Sequence, residues 1–166
     1  MPVTEQGLFE DRYKIIPRVL IFVTCGDKVL LLKGSPNKKI WPDLYNGIGG
    51  HIEKGESVLE AAHREFMEET GLILINPWLC AVITIDTQQS TGIGMLVFRG
   101  TVNDEQVKES DEGTPEWIDI GLVAKLTLVE DLPILIPKII TRAENDPVIY
   151  AQYHYNSEEN LQIRFS

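Results

Sequence analysis

The sequence predicts an α/β fold, in which a mixed sheet carries two principal helices and ends in a closing β-hairpin. Short runs rich in Val, Ile, Leu and Phe alternate with turn-forming residues, as β-strands do. One stretch between Ser57 and Gly71 has the apolar spacing of a helix instead. The 166 residues match the usual size of one domain and include no repeat or long linker, so we expect a single domain over residues 1–166.

The first two strands are predicted over residues 18–24 and 28–32. Gly26 and Asp27 between them form a tight-turn signal, so the pair reads as a hairpin. The following stretch, residues 33–50, is dense in Gly, Pro, Asn and Ser. Since neither a helix nor a strand tolerates that composition, residues 33–50 are predicted to be a loop with special backbone needs.

The first helix is predicted to begin after Ser57 and to end at Gly71. Ser57 and Glu60 have the spacing of a capping box, and glycine is the usual left-handed helix stop. Apolar side chains recur at four-residue steps, at Val58, Ala62 and Phe66, with Leu59 beside them. These apolar residues predict one buried stripe on the helix.

The second half of the chain completes the sheet. Residues 78–86 and 93–102 are predicted strands around a polar turn at residues 88–92, and residues 117–120 form another short strand. The apolar stretch 132–143, with Pro133 in its first turn, is predicted to be the second helix. Residues 148–155 and 161–165 then form the closing hairpin.

Charge and composition exclude several classes of protein. Twenty-five acidic against fifteen basic residues give a net charge of −10, which disfavours nucleic-acid polymers and anionic membranes as partners. No apolar run approaches the roughly 20 residues of a spanning helix. The first six residues lack a secretory signal, and two cysteines build no disulfide framework. We therefore expect a cytoplasmic monomer or homodimer with a small-molecule partner.

The most informative side chains are Glu65, Glu68 and Glu69. Spacings of three and four place the three carboxylates on one side of the predicted helix. Hard oxygen ligands of this kind suit Mg²⁺ or Mn²⁺. Arg64 can pair with Glu56, Glu60 or Glu68. A solvated acidic face with a surface ion pair is the alternative reading of the same pattern.

These residues belong to a longer pattern with defined spacing. Gly50, five residues, Glu56, seven residues and then Arg64-Glu65-Phe66-Met67-Glu68-Glu69-Thr70-Gly71-Leu72 resemble the signature of the Nudix hydrolase superfamily. The resemblance implies an α/β/α sandwich, a divalent metal and hydrolysis of a nucleoside diphosphate linked to a further group.

The resemblance also implies a role for each matched position. Glu65, Glu68 and Glu69 become metal ligands, and the Gly49 carbonyl becomes an additional one. Glu56 and Arg64 become the pair that fixes the loop against the helix.

A weaker likeness reaches most of the chain and points to the MutT-like branch, which removes oxidised purine nucleoside triphosphates. It implies that Asn46 meets the purine, that Glu112 is a further metal ligand or the base that activates water, and that Glu130 and Asp131 bond the base. Each has a plainer reading: Asn46 as a turn residue, Glu112 as a solvated acid, and the acidic pair as favourable charges at a helix start. Lys33, with Lys38 and Lys39, can receive phosphates or remain solvated.

The expected function is a Mg²⁺-dependent pyrophosphohydrolase, with Mn²⁺ as a substitute metal. It cleaves a nucleoside triphosphate, such as the oxidised purine 8-oxo-dGTP, to the monophosphate and pyrophosphate. Glu130 stands where the branch has Asp, and Leu128 stands near an expected stacking Trp, so the base stays open. The alternatives are hydrolysis of another nucleoside diphosphate derivative (nucleotide sugar, ADP-ribose or dinucleoside polyphosphate) and a non-catalytic nucleotide-sensing module.

Overall fold

The computed structural model describes residues 2, 5–7, 9–37, 40 and 42–166. Lys38 and Lys39, named above as phosphate-binding candidates, lie outside these residues. The elements follow in chain order: β1 (Lys14–Cys25), β2 (Lys28–Gly34), β3 (Tyr45–Asn46), α1 (Val58–Thr70), β4 (Ile75–Ile85), β5 (Thr91–Thr101), β6 (Gly113–Asp119), a 3₁₀ helix (Ile120–Lys125), α2 (Leu132–Ile140), β7 (Ile149–Tyr155) and β8 (Leu161–Phe165).

The sheet is mixed, as predicted. Its strand order is β3-β2-β1-β5-β4-β7-β8, and β6 also pairs with β2. The pairs β1–β5 and β4–β7 are parallel, whereas the other strand pairs are antiparallel. β1 pairs with β2 only at its end, at Thr24 and Cys25. Ile48 and His51 bridge the earlier part of β1, so the glycine-rich loop lies along that edge.

Side chains of β1 point alternately into two cores. Val19, Ile21 and Val23 pack in the core that contains residues of α1, whereas Leu20 and Phe22 pack in the core that contains residues of α2. One helix therefore covers each face of the sheet. The predicted α/β/α sandwich is confirmed.

The boundaries of α1 match the prediction. Ser57 and Glu60 form the reciprocal capping box, and Gly71 closes the helix with φ 71° and an N–H donated to the Met67 carbonyl. The predicted stripe is wrong at Leu59, which is 48% exposed, because Ala61 occupies the buried position beside Ala62.

The second helix is shorter than predicted, because it ends at Ile140 rather than at Ala143. Arg99 Nη1 donates to the carbonyls of Ile140 and Arg142 at 3.0 and 2.5 Å. A side chain thus satisfies the carbonyls at this end in place of a further turn of helix. Within the part of the chain that the structure describes, neither helix has the length and apolar character needed to cross a membrane.

Several other boundaries differ from the prediction because long-range pairing decides them. β1 begins at Lys14 rather than at residue 18, and β4 begins at Ile75 rather than at residue 78. The predicted loop over residues 33–50 is interrupted, since β2 continues to Gly34 and β3 pairs with Leu32 and Lys33. The strand predicted over residues 117–120 begins at Gly113 and stops at Asp119, paired along all of β2. The closing hairpin of β7 and β8 is confirmed.

Candidate active site

Arg64 ties the loop before α1 to the helix itself. Its Nε donates to Glu56 Oε1 at 2.5 Å and its Nη2 donates to Glu56 Oε2 at 3.0 Å, which is a two-pronged ion pair. The same Nη2 donates to the His51 carbonyl at 3.0 Å. Glu56 also accepts from the Glu53 N–H, so the loop is held at three points.

The other amino group of Arg64 brings two of the signature carboxylates together. Nη1 donates to Glu65 Oε1 at 2.9 Å and to Glu68 Oε2 at 3.1 Å. Both carboxylates thus converge on a single cationic nitrogen. Two carboxylates that accept hydrogen bonds from one positively charged group are expected to converge in this way.

Glu69 faces the glycine loop rather than Arg64. It is 3% exposed, and its Oε2 accepts the Gly49 N–H at 2.9 Å. The loop is closely packed here, because a Cβ on Gly49 would lie 2.2 Å from the Val19 carbonyl oxygen. A Cβ on Gly50 would lie 2.5 to 2.7 Å from the carboxylate atoms of Glu65. Glycine at position 49 lets the loop pack against β1, and glycine at position 50 leaves room for the Glu65 carboxylate.

Two acids of this cluster have opposite pKa shifts. The hydrogen bonds from Arg64 lower the pKa of Glu56 to about 2, so Glu56 is ionised at neutral pH. Burial raises the pKa of Glu65, against the opposing effect of Arg64. A carboxylate that is costly to ionise next to an accessible loop is the kind of group that a bound cation stabilises.

The carboxylate oxygens of this cluster are ligands that suit a divalent cation, although the side chains are arranged around Arg64. Among residues 2, 5–7, 9–37, 40 and 42–166, no group of three His, Cys, Asp or Glu side chains is placed to hold a metal ion. Glu65 and Glu68 already converge within reach of one cation, and all the available donors are oxygens.

Asn46 lines a small cleft together with Gly49 of the glycine-rich loop and Glu69 of α1. The cleft is lined by residues of β2, the loop, β3 and α1: Leu32, Gly34, Leu44, Asn46, Gly47, Gly49 and Glu69. Asn46 Oδ1 accepts the Gly47 N–H at 2.8 Å, which is the turn role predicted for this residue. Since Asn46 also lines the cleft, the turn role and a ligand-binding role are compatible.

Lys33 faces a second groove of about 340 Å³ between β2 and β6. Its Nζ lies 6.0 Å from the centroid of the Tyr45 ring, and the Tyr45 hydroxyl donates to Glu116 Oε2 at 2.8 Å. Gly34 lines both the groove and the cleft, so the two are adjacent. The pair formed by Tyr45 and Glu116 was not indicated by the sequence pattern, because the contact spans 71 positions.

Glu112 lies on the turn that enters β6. Its carbonyl accepts the Ser35 N–H at 3.0 Å, and the turn is closed by the backbone bonds between Ser110 and Gly113. Ser110 and Gly113 both line the groove next to Lys33. The structure therefore places Glu112 beside the groove, on a different element from the acids of α1.

Glu130 and Asp131 directly follow a segment that pairs with Tyr45, the residue before Asn46. Tyr45 donates its N–H to the Thr127 carbonyl and accepts the Val129 N–H, at 2.9 and 3.0 Å. Glu130 Oε1 accepts the Leu161 N–H at 3.2 Å, which joins this segment to the closing hairpin.

Asp131 occupies the N-cap position of α2, but its side chain makes no capping bond. Burial raises the pKa of Asp131 to about 6. Burial and the nearby Asp131 also raise the pKa of the Tyr153 hydroxyl, a group that the sequence pattern did not single out. Asp131 therefore titrates close to neutral pH.

Comparisons with known proteins agree with this geometry. The family model of the NUDIX domain matches residues 14–139. An uncharacterized Nudix hydrolase of Bacillus subtilis, YvcI, is 36% identical over 107 residues, which are 61% of this chain and 65% of that protein. The oxidized purine nucleoside triphosphate hydrolase of Danio rerio is 30% identical over 116 residues, 63% of this chain and 66% of that enzyme.

The matched segments thus span just under two thirds of the length of these relatives. The crystal structure of a MutT protein from Bacillus halodurans superposes with a TM-score of 0.74 at 26% identity, covering 92% of this chain and 98% of that one. The family model covers most of the chain, including β1, the signature helix and all but the last residue of α2. This chain therefore belongs to the Nudix family.

Proposed function

We propose that this member of the Nudix family is a nucleoside triphosphate pyrophosphohydrolase that releases the monophosphate and pyrophosphate. One observation carries the proposal: Asn46, Gly49 and Glu69 line a single cleft beside the converging carboxylates of Glu65 and Glu68. A polar amide that can read a base thus lies next to oxygen ligands that can hold a phosphate-binding metal.

Glu65, Glu68, Glu69 and the Gly49 carbonyl are the proposed ligands of Mg²⁺, with Mn²⁺ as a substitute. When bound, a divalent ion offsets the charge of the phosphates and lowers the pKa of a water molecule. Without such an ion, the clustered carboxylates would repel a triphosphate. The acidic character of the site and the anionic substrate are therefore compatible only together with metal.

Other residues of the site have proposed roles in positioning the loop and in activating water. Arg64 and Glu56 hold the loop against α1, which fixes Gly49 relative to Glu69. Glu112 is the proposed further ligand or the base that accepts the proton of the attacking water. Since water attacks phosphorus directly, no covalent intermediate with the protein is required.

The nucleoside end of the substrate is proposed to contact Asn46, Glu130 and Asp131, and Lys33 receives phosphate oxygens. A protonated Asp131 provides a hydrogen-bond donor for a base edge, and the side-chain oxygens of Glu130 provide acceptors. The Danio rerio relative is named for oxidized purine nucleoside triphosphates, which supports a purine and makes 8-oxo-dGTP a substrate to test.

A hydrolysis screen tests this proposal. The purified chain is incubated with ordinary and oxidised nucleoside triphosphates, nucleotide sugars, ADP-ribose and dinucleoside polyphosphates, with Mg²⁺, with Mn²⁺ or with EDTA. Monophosphate and pyrophosphate from triphosphates, formed only with metal, are the expected products. Turnover confined to another compound in the panel would move the substrate to that class, and calorimetric binding without any product would indicate a nucleotide sensor.

A further inference from the structure

Arg18 of β1 is a cation whose Nε has no acceptor among the described residues. Its side chain is partly buried, and its Nε is fully shielded from solvent without a hydrogen bond. Within the part of the chain that the structure describes, Arg18 also forms no ion pair. Burial lowers the pKa of Arg18. A guanidinium held this way has donors to offer to a ligand.

The strand pattern places Arg18 on the face opposite α1. β1 pairs with β5 without a register shift from Lys14 to Val23, so its side chains alternate regularly. Arg18 therefore shares a face with Leu20, two residues further along, and lies opposite Met95 of β5. Gly47 covers this same face, since a Cβ there would lie 2.8 Å from Leu20 Cδ1. The Asn46–Gly47 turn and Arg18 thus border the same side of β1.

The rest of that face is mostly apolar. Met95 pairs with Ile83 of β4, which pairs with Ala151 of β7 in turn. Tyr153 lies on the same face of β7 as Ala151, in the neighbourhood of Asp131. The face therefore has the Arg18 guanidinium at one side and apolar side chains in the middle. At the other side lies the carboxyl group of Asp131, whose pKa is raised.

Next to Arg18, Met95 is only partly buried, and an apolar surface of this kind beside a polar group suits a flat heterocycle rather than a phosphate chain. The guanidinium of arginine has five hydrogen-bond donors and no acceptor. It can therefore donate to a carbonyl oxygen, but it cannot bond to an amino group, which is itself a donor. A 6-oxopurine such as guanine or hypoxanthine presents a carbonyl at position 6, whereas adenine presents an amino group there.

We propose that Arg18 donates to the 6-carbonyl of the substrate base and thereby selects 6-oxopurine over 6-aminopurine nucleotides. This inference rests on the proposed function, because it places the nucleoside end of the substrate on the Leu20 face of β1. Because Arg18 lies in β1, this role is additional to those of the acids on α1.

Steady-state kinetics on four nucleotides test this assignment. dGTP, dITP and 8-oxo-dGTP carry the 6-carbonyl, and dATP carries the amino group. The wild-type enzyme is compared with Arg18→Met, which keeps an apolar side chain of similar reach, and with Arg12→Met as an exposed control. We expect kcat/KM for dGTP and dITP to exceed that for dATP roughly tenfold or more, as a charged hydrogen bond to a carbonyl would give.

Arg18→Met is expected to raise KM for the three 6-oxopurine nucleotides, while kcat and the kinetics of dATP stay within about twofold. Equal losses on dGTP and dATP would assign Arg18 a structural role and overturn the inference. If Arg18→Met does not fold, the wild-type comparison decides alone: equal kcat/KM for dITP and dATP overturns it.

Calorimetry with GMP and AMP separates failure of this inference from failure of the proposed reaction. A wild-type protein that hydrolyses no triphosphate but binds GMP more tightly than AMP would support the role of Arg18 and reject the reaction. Hydrolysis of dGTP and dATP at equal efficiency would reject the role of Arg18 and leave the reaction standing. Absence of both hydrolysis and GMP binding would reject both.

Discussion

The Arg64 guanidinium donates two hydrogen bonds to the Glu56 carboxylate, from Nε to Oε1 at 2.5 Å and from Nη2 to Oε2 at 3.0 Å. Seven residues separate the two in sequence, and the pair joins the loop to the helix that follows it. Since the same guanidinium also contacts Glu65 and Glu68, its position couples the loop to the acids of α1. The position of Arg64 therefore affects both the loop that contains Glu56 and the carboxylates of Glu65 and Glu68.

Replacing Arg64 with lysine tests this coupling. Lysine keeps the charge but lacks the planar fork, so it can hold Glu56 or the helix acids but not both with this geometry. We expect Arg64→Lys to lower kcat about tenfold or more, with a smaller change in KM. Steady-state kinetics measure both, and a thermal melt checks folding. Unchanged kcat in a folded variant would show that the coupling is dispensable.

Alanine at Gly50 and at Gly49 should have different effects. At Gly50 the atoms nearest to the added methyl group are those of the Glu65 carboxylate, which can move aside. At Gly49, whose φ is 152°, it meets the Val19 backbone, which cannot. We expect Gly50→Ala to lose activity with little change in melting temperature, and Gly49→Ala to lose stability as well.

Calorimetric melts beside pyrophosphate-release assays separate these two outcomes. If Gly50→Ala keeps full activity, the position of the Glu65 carboxylate does not matter for the reaction. If Gly49→Ala melts like the wild type, the loop is less tightly packed against β1 than the structure shows.

Asp131 makes stability depend on pH in a predictable direction. Its folded pKa of about 6 lies above the ordinary value for aspartate, so the native state is favoured when Asp131 is protonated. That contribution is fully present below about pH 4 and is lost as the pH rises through about 6. The side-chain amide of an Asp131→Asn variant would not titrate over this range.

The melting temperature of Asp131→Asn minus that of the wild type should therefore be larger at pH 8 than at pH 4, by about 2–6 °C. Differential scanning calorimetry at both pH values measures this difference. A difference that does not vary with pH would mean that Asp131 titrates alike in the folded and unfolded chains.

The features that were predicted well from the sequence are those with local causes. The capping box of Ser57 and Glu60 and the left-handed stop at Gly71 act within a few residues, so both ends of α1 were correct. The Nudix resemblance likewise implied the ion pair of Glu56 and Arg64, which the structure contains.

The features that the sequence did not predict depend on distant partners. β6 begins at Gly113, in a stretch with poor strand propensity, because β2 pairs with it over its whole length. The end of α2 depends on Arg99, which contacts a carbonyl 41 positions further along the chain. The position of Arg18 on the face opposite α1 follows only from the alternation of β1 between two cores, which needs the packed structure.

Pyrophosphate release by a Glu68→Gln variant tests the proposed reaction most directly. The Glu68 side chain is 59% exposed and contacts Arg64, so its amide should leave the fold unchanged while it loses the charge needed for metal binding. With dGTP and Mg²⁺, we predict a fall in kcat on the order of 100-fold or more, with an unchanged melting temperature. The exposed Glu144→Gln serves as the matched control and should keep wild-type turnover. Turnover by Glu68→Gln within about twofold of the wild type would contradict a metal-dependent reaction at the signature helix.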